Sequence, residues 1–461
     1  MPAETDTIAA ISTPPGEGGI AVIRISGPQA LEAADRVFRG RRPLADVPSH
    51  TVHYGFVVDP ETGERADEVL ATVMRAPRSF TREDVVEISC HGGLIAVRKV
   101  LELILQHGGA RLAEPGEFTK RAFLNGRIDL SQAEAVIDLI RAKSDEAHRL
   151  AMQQATGALS AKIRSLRERL VGLMAHIEVN IDYPEHDVEE VTNRLIRDAC
   201  GSAIEEIDRL LKTASQGKIL REGITTAIVG RPNVGKSSLL NALARENRAI
   251  VTDIPGTTRD VIEEYVNLGG IPLRLLDTAG IRETADAVEK IGVERSLEAL
   301  ESADLLLLVI DGSRPLDDGE RKLLEELSGR STLVIVNKAD LPRQADVDVI
   351  RSRYPAERIV SMAAARHEGL DELERAVRGL FFGGEIASRD LTYVSNVRHI
   401  HLLKQCRTSL QDALRAAEEG LPIDIIQIDL QRGWEALGEI IGEAVSETLI
   451  DQIFSRFCLG K

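Results

Sequence analysis

The sequence predicts a multidomain protein with an α+β domain at the N-terminus and an α/β domain inserted into an α-helical domain. Short strand candidates rich in β-branched residues fill residues 1–120. Apolar residues then recur at helical spacing over residues 121–219, and again over residues 382–461. Between them, at residues 220–381, apolar strands alternate with helices, which is typical of a doubly wound α/β fold. The helical domain is therefore predicted to be split in sequence by the α/β insert.

Composition limits the class of protein. A chain of 461 residues with 43% hydrophobic and 28% charged residues has the profile of a soluble globular protein with about three domains. No run approaches the roughly 18 apolar residues of a membrane span, and the acidic start Met1–Asp6 lacks the basic start of a signal peptide. The four scattered cysteines indicate a reducing cytoplasm. A net charge of −16 argues against broad, nonspecific nucleic-acid binding, but leaves room for a local basic patch.

In the N-terminal domain, strands are predicted at Ile20–Ile25, at Thr51–Val58 with Val69–Met74 after a turn, and at Asp84–Ser89. A helix is predicted from Leu94 to about Gln106.

Two charged residues, Arg24 and Glu87, interrupt these apolar strands. Periodicity alone favours a strand that turns a polar face to solvent over a ligand contact.

The α/β region offers five buried strand candidates: Ala227–Val229, Leu273–Leu276, Leu305–Ile310, Leu333–Val336 and Ile359–Val360. The first is followed by the glycine-rich loop Gly230–Ser238 and then by a helix that starts near Leu239. Strand, glycine-rich loop and helix together form a phosphate-binding loop, because backbone N–H groups and the helix N-terminus converge on an anion. Lys236 would reach the outer phosphates and the Ser237 hydroxyl would ligate Mg²⁺. The residues of the loop predicted to bind the nucleotide are Asn233, Val234, Gly235, Lys236, Ser237 and Ser238. The alternative is a glycine-rich turn that binds nothing.

Two further patterns each follow a predicted strand, where ligand sites of α/β sheets form. The residues of the first are Asp277, Thr278, Ala279 and Gly280. Asp277 can hold Mg²⁺ through water, and the Gly280 N–H can contact a terminal phosphate. The second pattern contains Asn337, Lys338 and Asp340, and a carboxylate there suits the N1–H and amino donors of guanine. In this order the patterns resemble a Ras-like, translation-factor-type GTPase domain, with a degraded fifth element at Ser361–Ala363.

The polar segment between the loop and Asp277 resembles the first switch region of such GTPases. Its predicted nucleotide contacts are Thr252, Asp253, Ile254, Pro255, Gly256, Thr257 and Thr258. Thr258 would supply the second hydroxyl ligand of Mg²⁺. The alternative is a polar loop rich in turn formers.

Ile281 stands where Ras-like enzymes have the glutamine that orients the attacking water. An isoleucine cannot orient water. Hydrolysis must therefore use another residue, use another cation, or be slow. The nearby candidate carboxylates are Glu283, Asp286 and Glu289, and Arg259 and Arg282 are candidate arginine fingers.

The C-terminal segment Phe457–Lys461, with its Cys-x-Gly-Lys pattern, resembles the end of the tRNA modification GTPases of the MnmE (TrmE) family. Further segments with the same resemblance are Thr13–Gly16, Ile23–Gly27, His91–Gly93 and Pro115–Gly126. The resemblance covers essentially the whole chain. It implies an enzyme that adds an aminomethyl or carboxymethylaminomethyl group to C5 of the wobble uridine of certain tRNAs, while GTP hydrolysis drives its conformational cycle.

The resemblance also implies partners and cofactors. The one-carbon unit comes from 5,10-methylenetetrahydrofolate or 5-formyltetrahydrofolate, bound in the N-terminal domain. A flavoprotein partner, MnmG (GidA), carries FAD and joins the homodimer in a heterotetramer or larger complex in the cytoplasm. By motif match the folate contacts are Arg24, Glu87, Arg127 and Lys461. Some relatives have lysine at the position of Arg127, which keeps the charge but changes the geometry.

Potassium activation is implied in the same way. The residues that resemble K⁺ ligands are Asn233, Thr252, Ile254 and Thr257, and Glu289 matches the catalytic, water-positioning glutamate. A cation at this position would replace the charge that an arginine finger supplies in other GTPases.

Two alternatives stay open on the sequence. Cys458 is either a functional thiol near the folate or a small packed hydrophobe that orders the C-terminal tail. The chain itself is either the tRNA-modifying GTPase or a ribosome- or RNA-associated regulatory GTPase without modification chemistry. The N-terminal domain and the C-terminal pattern favour the first.

Overall fold

The computed structural model describes residues 6–182, 189–246, 264–276, 301–383 and 394–460. The chain divides into two compact units. The first comprises Met1–Ile137, Gln154–Arg167 and Leu437–Lys461; the second comprises Asp138–Gln153 and Glu168–Ala436.

The N-terminal domain is a seven-stranded sheet with two helices. Its elements are β1 (Ile8–Ile11), β2 (Gly18–Ser26), α1 (Ala30–Val37), β3 (Phe38–Gly40), β4 (Thr51–Val58), β5 (Arg65–Met74), β6 (Val85–Gly92), α2 (Leu94–His107) and β7 (Arg111–Leu112). The strand order is β3-β4-β5-β6-β2-β1-β7. Apolar residues of β2 and β6 alternate towards α1 and α2, and the buried core includes Ile23, Ile25, Ile88 and Val100. This alternation leaves Arg24 and Glu87 on the opposite face, directly across from each other.

The predicted strands and the helix of this domain are all present, but four elements were missed: β1, α1, β3 and the two-residue β7. Strand β1 is short and contains two alanines, which favour strands weakly, so its strand state depends on pairing with β2 and β7. Helix α1 buries Ala30, Ala33 and Ala34, residues too small to produce a strong apolar pattern. Strand β3 has only three residues and pairs with β4. In each case tertiary pairing outweighs local sequence preference.

Helices follow as α3 (Glu117–Leu124), α4 (Leu130–Arg141), α5 (Asp145–Ala155), α6 (Ala158–Asp182), α7 (Glu189–Lys212) and α8 (Ala214–Glu222). The helical run thus starts at Glu117, before the predicted start at residue 121, and it is interrupted at Thr213 between α7 and α8.

The α/β domain contains β8 (Ile224–Val229), α9 (Lys236–Glu246), β9 (Glu264–Leu268), β10 (Ile271–Leu275), β11 (Leu305–Asp311), α10 (Asp318–Glu326), β12 (Thr332–Asn337), α11 (Val347–Arg351), β13 (Ile359–Ser361) and α12 (Leu370–Phe382). The sheet order is β13-β12-β11-β8-β10-β9, parallel except for β9. All five predicted strands are present, and β9 was not predicted. From β8 the chain passes to β10 on one side and β11 on the other, so the loop after β8 lies at a topological switch point.

The chain ends in α13 (Val397–Glu418), α14 (Ile423–Ile441) and α15 (Glu447–Phe454). Helix α13 packs on α7, which precedes the α/β domain. Arg407 Nε lies 2.6 Å from Asp208 Oδ1, and the Val394 N–H donates to Thr213 Oγ1 at 3.2 Å. Helices on both sides of the α/β domain therefore pack against each other, which agrees with a helical domain split in sequence. None of the helices in the described ranges combines the length and the apolar character needed to cross a bilayer.

Candidate functional site

The loop after β8 has the backbone of a phosphate cradle. Gly230 (φ 150°), Asn233 (φ 63°) and Gly235 (φ 104°) have positive φ values, and α9 begins directly after them at Lys236. Glycine is required at Gly235 for a second reason. A Cβ there would lie 2.1 Å from Asn337 Nδ2. The loop therefore turns its N–H groups and the first turn of α9, which contains Ser237 and Ser238, to one side.

Lys236 supplies the positive charge of the loop. Its ammonium group donates to the carbonyl oxygens of Gly230 at 2.8 Å and Arg231 at 2.9 Å. Burial lowers the pKa of Lys236. Within the described ranges this partly buried ammonium makes no ion pair, and a bound phosphate would supply the opposite charge.

Asn337, at the end of β12, joins the loop to the predicted guanine-binding segment. Its Nδ2 donates to the Val234 carbonyl at 2.9 Å, and its Oδ1 accepts from the Ala364 N–H at 3.0 Å. The side chain is buried, with 2% of the residue exposed. The side-chain amide of Asn337 thus joins the phosphate loop and the segment after β13 to the end of β12.

The remaining residues of that segment are also placed by polar contacts. Lys338 (φ 61°) donates to Asp311 Oδ2 at 2.6 Å. Burial raises the pKa of Asp311, but hydrogen bonds from Lys338 and Ser313 outweigh burial and lower it overall. The Asp340 carboxylate lies 3.2 Å from Arg366 Nε. Sequence reasoning missed Asp311, although an aspartate that ends an otherwise apolar strand is a detectable signal.

The predicted fifth element, Ser361–Ala363, lies beside this segment, because the Ala339 N–H donates to the Met362 carbonyl at 3.0 Å. The other predicted nucleotide residues lie outside the described ranges. They are Thr252, Asp253, Ile254, Pro255, Gly256, Thr257, Thr258, Asp277, Thr278, Ala279, Gly280 and the catalytic candidate Glu289. Lys461 also lies outside them.

A second cluster lies on the open face of the N-terminal sheet. Arg24 and Glu87 form an ion pair across β2 and β6, with Nη2 2.7 Å from Oε1. Their side chains are only 18% and 26% exposed, so they are not a fully solvated strand face. The Arg24 guanidinium carbon lies 5.7 Å from the ring centre of Phe80 and 5.6 Å from that of Phe118.

Arg127 joins this cluster through the same ring. Its guanidinium carbon lies 4.7 Å from the Phe80 ring centre, and its Nη1 donates to the Phe80 carbonyl at 2.9 Å. Burial first, and then the charge of Arg82, lower the pKa of Arg127. A carboxylate, guanidinium groups and aromatic rings suit a flat heteroaromatic ligand with a polar edge, so these residues fit a folate. Sequence reasoning missed Phe80 and Phe118. The signal was their rarity in a chain with only 3% aromatic residues.

Helix α3, which carries Phe118, is anchored by buried charges. Arg121 is 2% exposed and donates to Glu117 at 2.9 Å and to Asp6 at 2.7 Å. Arg111 binds both carboxylate oxygens of Glu117, at 2.6 and 2.8 Å. Burial raises the pKa of Glu117, but hydrogen bonds from Arg111, Glu114 and Arg121 outweigh burial and lower it. The network keeps α3 beside β1.

The C-terminal tail lies against the N-terminal sheet. The Cys458 carbonyl accepts from the Gly116 N–H at 3.3 Å, and the Gly460 carbonyl accepts from Ser12 Oγ at 3.1 Å. Cys458 is exposed, whereas Cys90, Cys200 and Cys406 are buried. Phe457 supplies the tail's apolar contact, with its ring 5.2 Å from that of Phe454. The exposed side chain of Cys458 does not fit a packed hydrophobe, and its role as a functional thiol stays a prediction.

Comparison with known proteins decides the family. A model of the GTP-binding protein TrmE N-terminus matches residues 7–127, and a model of the MnmE helical domain matches residues 130–458. The chain is 62% identical over 99% of its length to the tRNA modification GTPase MnmE of Geobacillus kaustophilus, of which 100% is covered. The chain belongs to the MnmE family. MnmE proteins of Geobacillus thermodenitrificans and Enterococcus faecalis are 60% and 57% identical over 99% of this chain, with 100% and 99% of their own lengths covered. The range matched by the MnmE helical domain encloses the whole α/β sheet, in agreement with an insert.

Proposed function

We propose that this chain is a potassium-stimulated GTPase that modifies the wobble uridine of certain tRNAs together with the flavoprotein MnmG (GidA). An aminomethyl or carboxymethylaminomethyl group is added to C5 with a one-carbon unit from tetrahydrofolate. GTP hydrolysis drives the conformational cycle of a homodimer. The observation that carries the proposal is the Asn337 amide, which bonds to the phosphate loop and to Ala364 in a chain of the MnmE family.

In the nucleotide site, each described residue has a role in this proposal. Lys236 and the N-terminus of α9 bind the phosphates. Asp340 accepts from the guanine N1–H and amino group, and so exchanges its contact with Arg366 for the base. Ser237, with Thr258, would hold Mg²⁺, which supplies positive charge to the phosphates when bound.

Hydrolysis without a glutamine at position 281 needs other groups. Asn233, Thr252, Ile254 and Thr257 would hold K⁺, which supplies the charge of an arginine finger when bound. Glu289 orients the attacking water. Of these residues the structure describes Asn233 alone.

The folate half rests on Arg24, Glu87 and Arg127, with Lys461 at the end of the tail. Glu87 would accept hydrogen bonds from the amino-pyrimidine edge of a bound pterin, and Arg24 would contact the pterin oxygen. The exposed Cys458 thiol, on a tail bonded to Gly116 and Ser12, faces solvent where a substrate can reach it.

The GTPase half is tested by hydrolysis rates in K⁺ and in Na⁺. A higher rate in K⁺ is expected, and equal rates would remove the cation from the mechanism. Glu289→Ala should slow hydrolysis and leave nucleotide affinity intact, with Glu326→Ala, which removes an exposed carboxylate of α10, as the matched control. Unchanged turnover in Glu289→Ala would exclude Glu289.

The modification half is tested by mass spectrometry of wobble uridines in tRNA from cells that lack this protein. Loss of the modification, with rescue by the wild-type chain but not by Glu87→Ala, supports the proposal. Intact modification would favour the regulatory GTPase without modification chemistry.

A further inference from the structure

Two exposed arginines, Arg82 and Arg127, lie on two segments of the N-terminal domain that are bonded to each other beside Phe80. Arg82 Nη1 donates to the Asn125 carbonyl at 2.9 Å, and Asn125 Nδ2 donates to the Thr81 carbonyl at 2.7 Å. Arg127 Nη1 donates to the Phe80 carbonyl at 2.9 Å. These bonds tie residues 80–82 to residues 125–127, so the two guanidinium groups share one edge of the cluster.

The charges of this pair are not balanced. Within the described ranges neither Arg82 nor Arg127 makes an ion pair, whereas Arg24 pairs with Glu87 and Arg121 with Glu117. The Arg82 charge is the second cause, after burial, of the lowered pKa of Arg127. Adjacent positive groups repel each other, and an anion bound between them would remove that cost.

The backbone at Arg82 adds a separate argument. Its φ of 60° is left-handed, a conformation that glycine and asparagine adopt more readily than arginine. An arginine at a strained position indicates that its side chain has a role that the backbone does not explain.

We propose that Arg82 and Arg127 bind the carboxylates of the folate's glutamate side chain and thereby select folates over pteroates. This inference rests on the proposed folate site. Arg24 and Arg127 both contact the Phe80 ring. The cluster therefore has the ion pair of Glu87 at one end, the Phe80 ring in the middle, and Arg82 and Arg127 at the other end. Pterin, aminobenzoyl ring and glutamate follow one another in the same order in a folate. Guanidinium groups bind carboxylates through two parallel hydrogen bonds.

The glutamate is favoured over a tRNA phosphate by this arrangement. A phosphate site for nucleic acid needs an extended basic surface, and this chain carries a net charge of −16. Arg127 instead contacts the Phe80 ring, which the ion-paired Arg24 also contacts. The ligand that matches is small, aromatic in its middle and anionic at one end.

The experiment compares two ligands that differ only in the glutamate. The full-length protein is titrated calorimetrically with 5-formyltetrahydrofolate and with 5-formyltetrahydropteroate. The variant is Arg82→Asn, because asparagine tolerates the left-handed backbone. Arg82→Lys keeps the charge without the planar fork, and Arg78→Asn removes an exposed arginine of the same loop as a matched control.

Wild type is expected to bind the folate roughly tenfold more tightly than the pteroate, the effect of one good charge-assisted contact. Arg82→Asn should lose most of this ratio by weakening the folate alone, Arg82→Lys should keep part of it, and Arg78→Asn should keep all of it. Equal weakening of both ligands by Arg82→Asn would overturn the inference in favour of a structural role.

Two further outcomes separate the inference from the proposed function. Wild type that binds both ligands equally tightly would overturn the carboxylate contact and leave the folate site standing. Wild type that binds neither would overturn both. If Arg82→Asn weakens tRNA binding and leaves the folate-to-pteroate ratio unchanged, the anion is a phosphate and the inference is wrong.

Discussion

Replacement of Asn337 by alanine tests how much its two hydrogen bonds contribute to the stability of the α/β domain and to nucleotide binding. Asn337→Ala removes the partner of the Val234 carbonyl and the partner of the Ala364 N–H, both buried contacts. A buried polar group left unsatisfied costs about 1–3 kcal/mol. Two such groups lower the free energy of unfolding of the α/β domain by about 2–6 kcal/mol, because water cannot replace both bonds.

The measurement is thermal unfolding followed by circular dichroism. For a domain of this size each kcal/mol moves Tm by about 2–4 °C, so the expected decrease is roughly 4–24 °C. Affinity for a fluorescent GDP analogue should fall as well, because the phosphate loop loses its hydrogen bond to the end of β12. Asn241→Ala, on the exposed face of α9, is the matched control and should leave both quantities nearly unchanged.

A Tm within 2 °C of the wild-type value would refute this reasoning. It would mean that the loop and the segment after β13 keep their positions without the amide, or that water satisfies both groups. Reduced stability with unchanged GDP affinity would separate the two roles and leave only the structural one.

Three further changes have defined outcomes. Gly235→Ala should abolish nucleotide binding, measured with the same GDP analogue, because its Cβ would lie 2.1 Å from Asn337 Nδ2. Asp340→Asn should shift the preference in hydrolysis assays from GTP towards xanthosine triphosphate, whose base presents an acceptor at that edge. Since the pKa of Glu117 is lowered in the folded chain, its stabilisation is complete above the ordinary value of 4.5 and is lost as pH falls through the folded-state value. In urea unfolding between pH 6 and about 3, the free energy of unfolding of Glu117→Gln should therefore fall less steeply with decreasing pH than that of the wild type. An equal slope in the two proteins would mean that Glu117 does not contribute to the acid dependence.

The nucleotide loop could be predicted from sequence because its chemistry is local. Gly230, Gly235 and Lys236 lie within one turn between a strand and a helix, and glycine spacing determines that turn. The Asn337 segment was also predictable, since it follows a strongly apolar strand. The contact between them was not, because residues about a hundred positions apart meet only when β8 and β12 lie on either side of β11.

The sequence by itself determined the order of the domains, the parallel strands of the α/β sheet and the residues of the phosphate loop. Periodicity and glycine placement are properties of neighbouring residues, and they need no knowledge of the fold. Tertiary structure alone decided that Arg24 faces Glu87, that Phe80 lies between Arg24 and Arg127, and that the thiol of Cys458 is exposed. Those facts depend on strand register and on long-range packing, where a shift of one residue would turn Arg24 to the other face of the sheet.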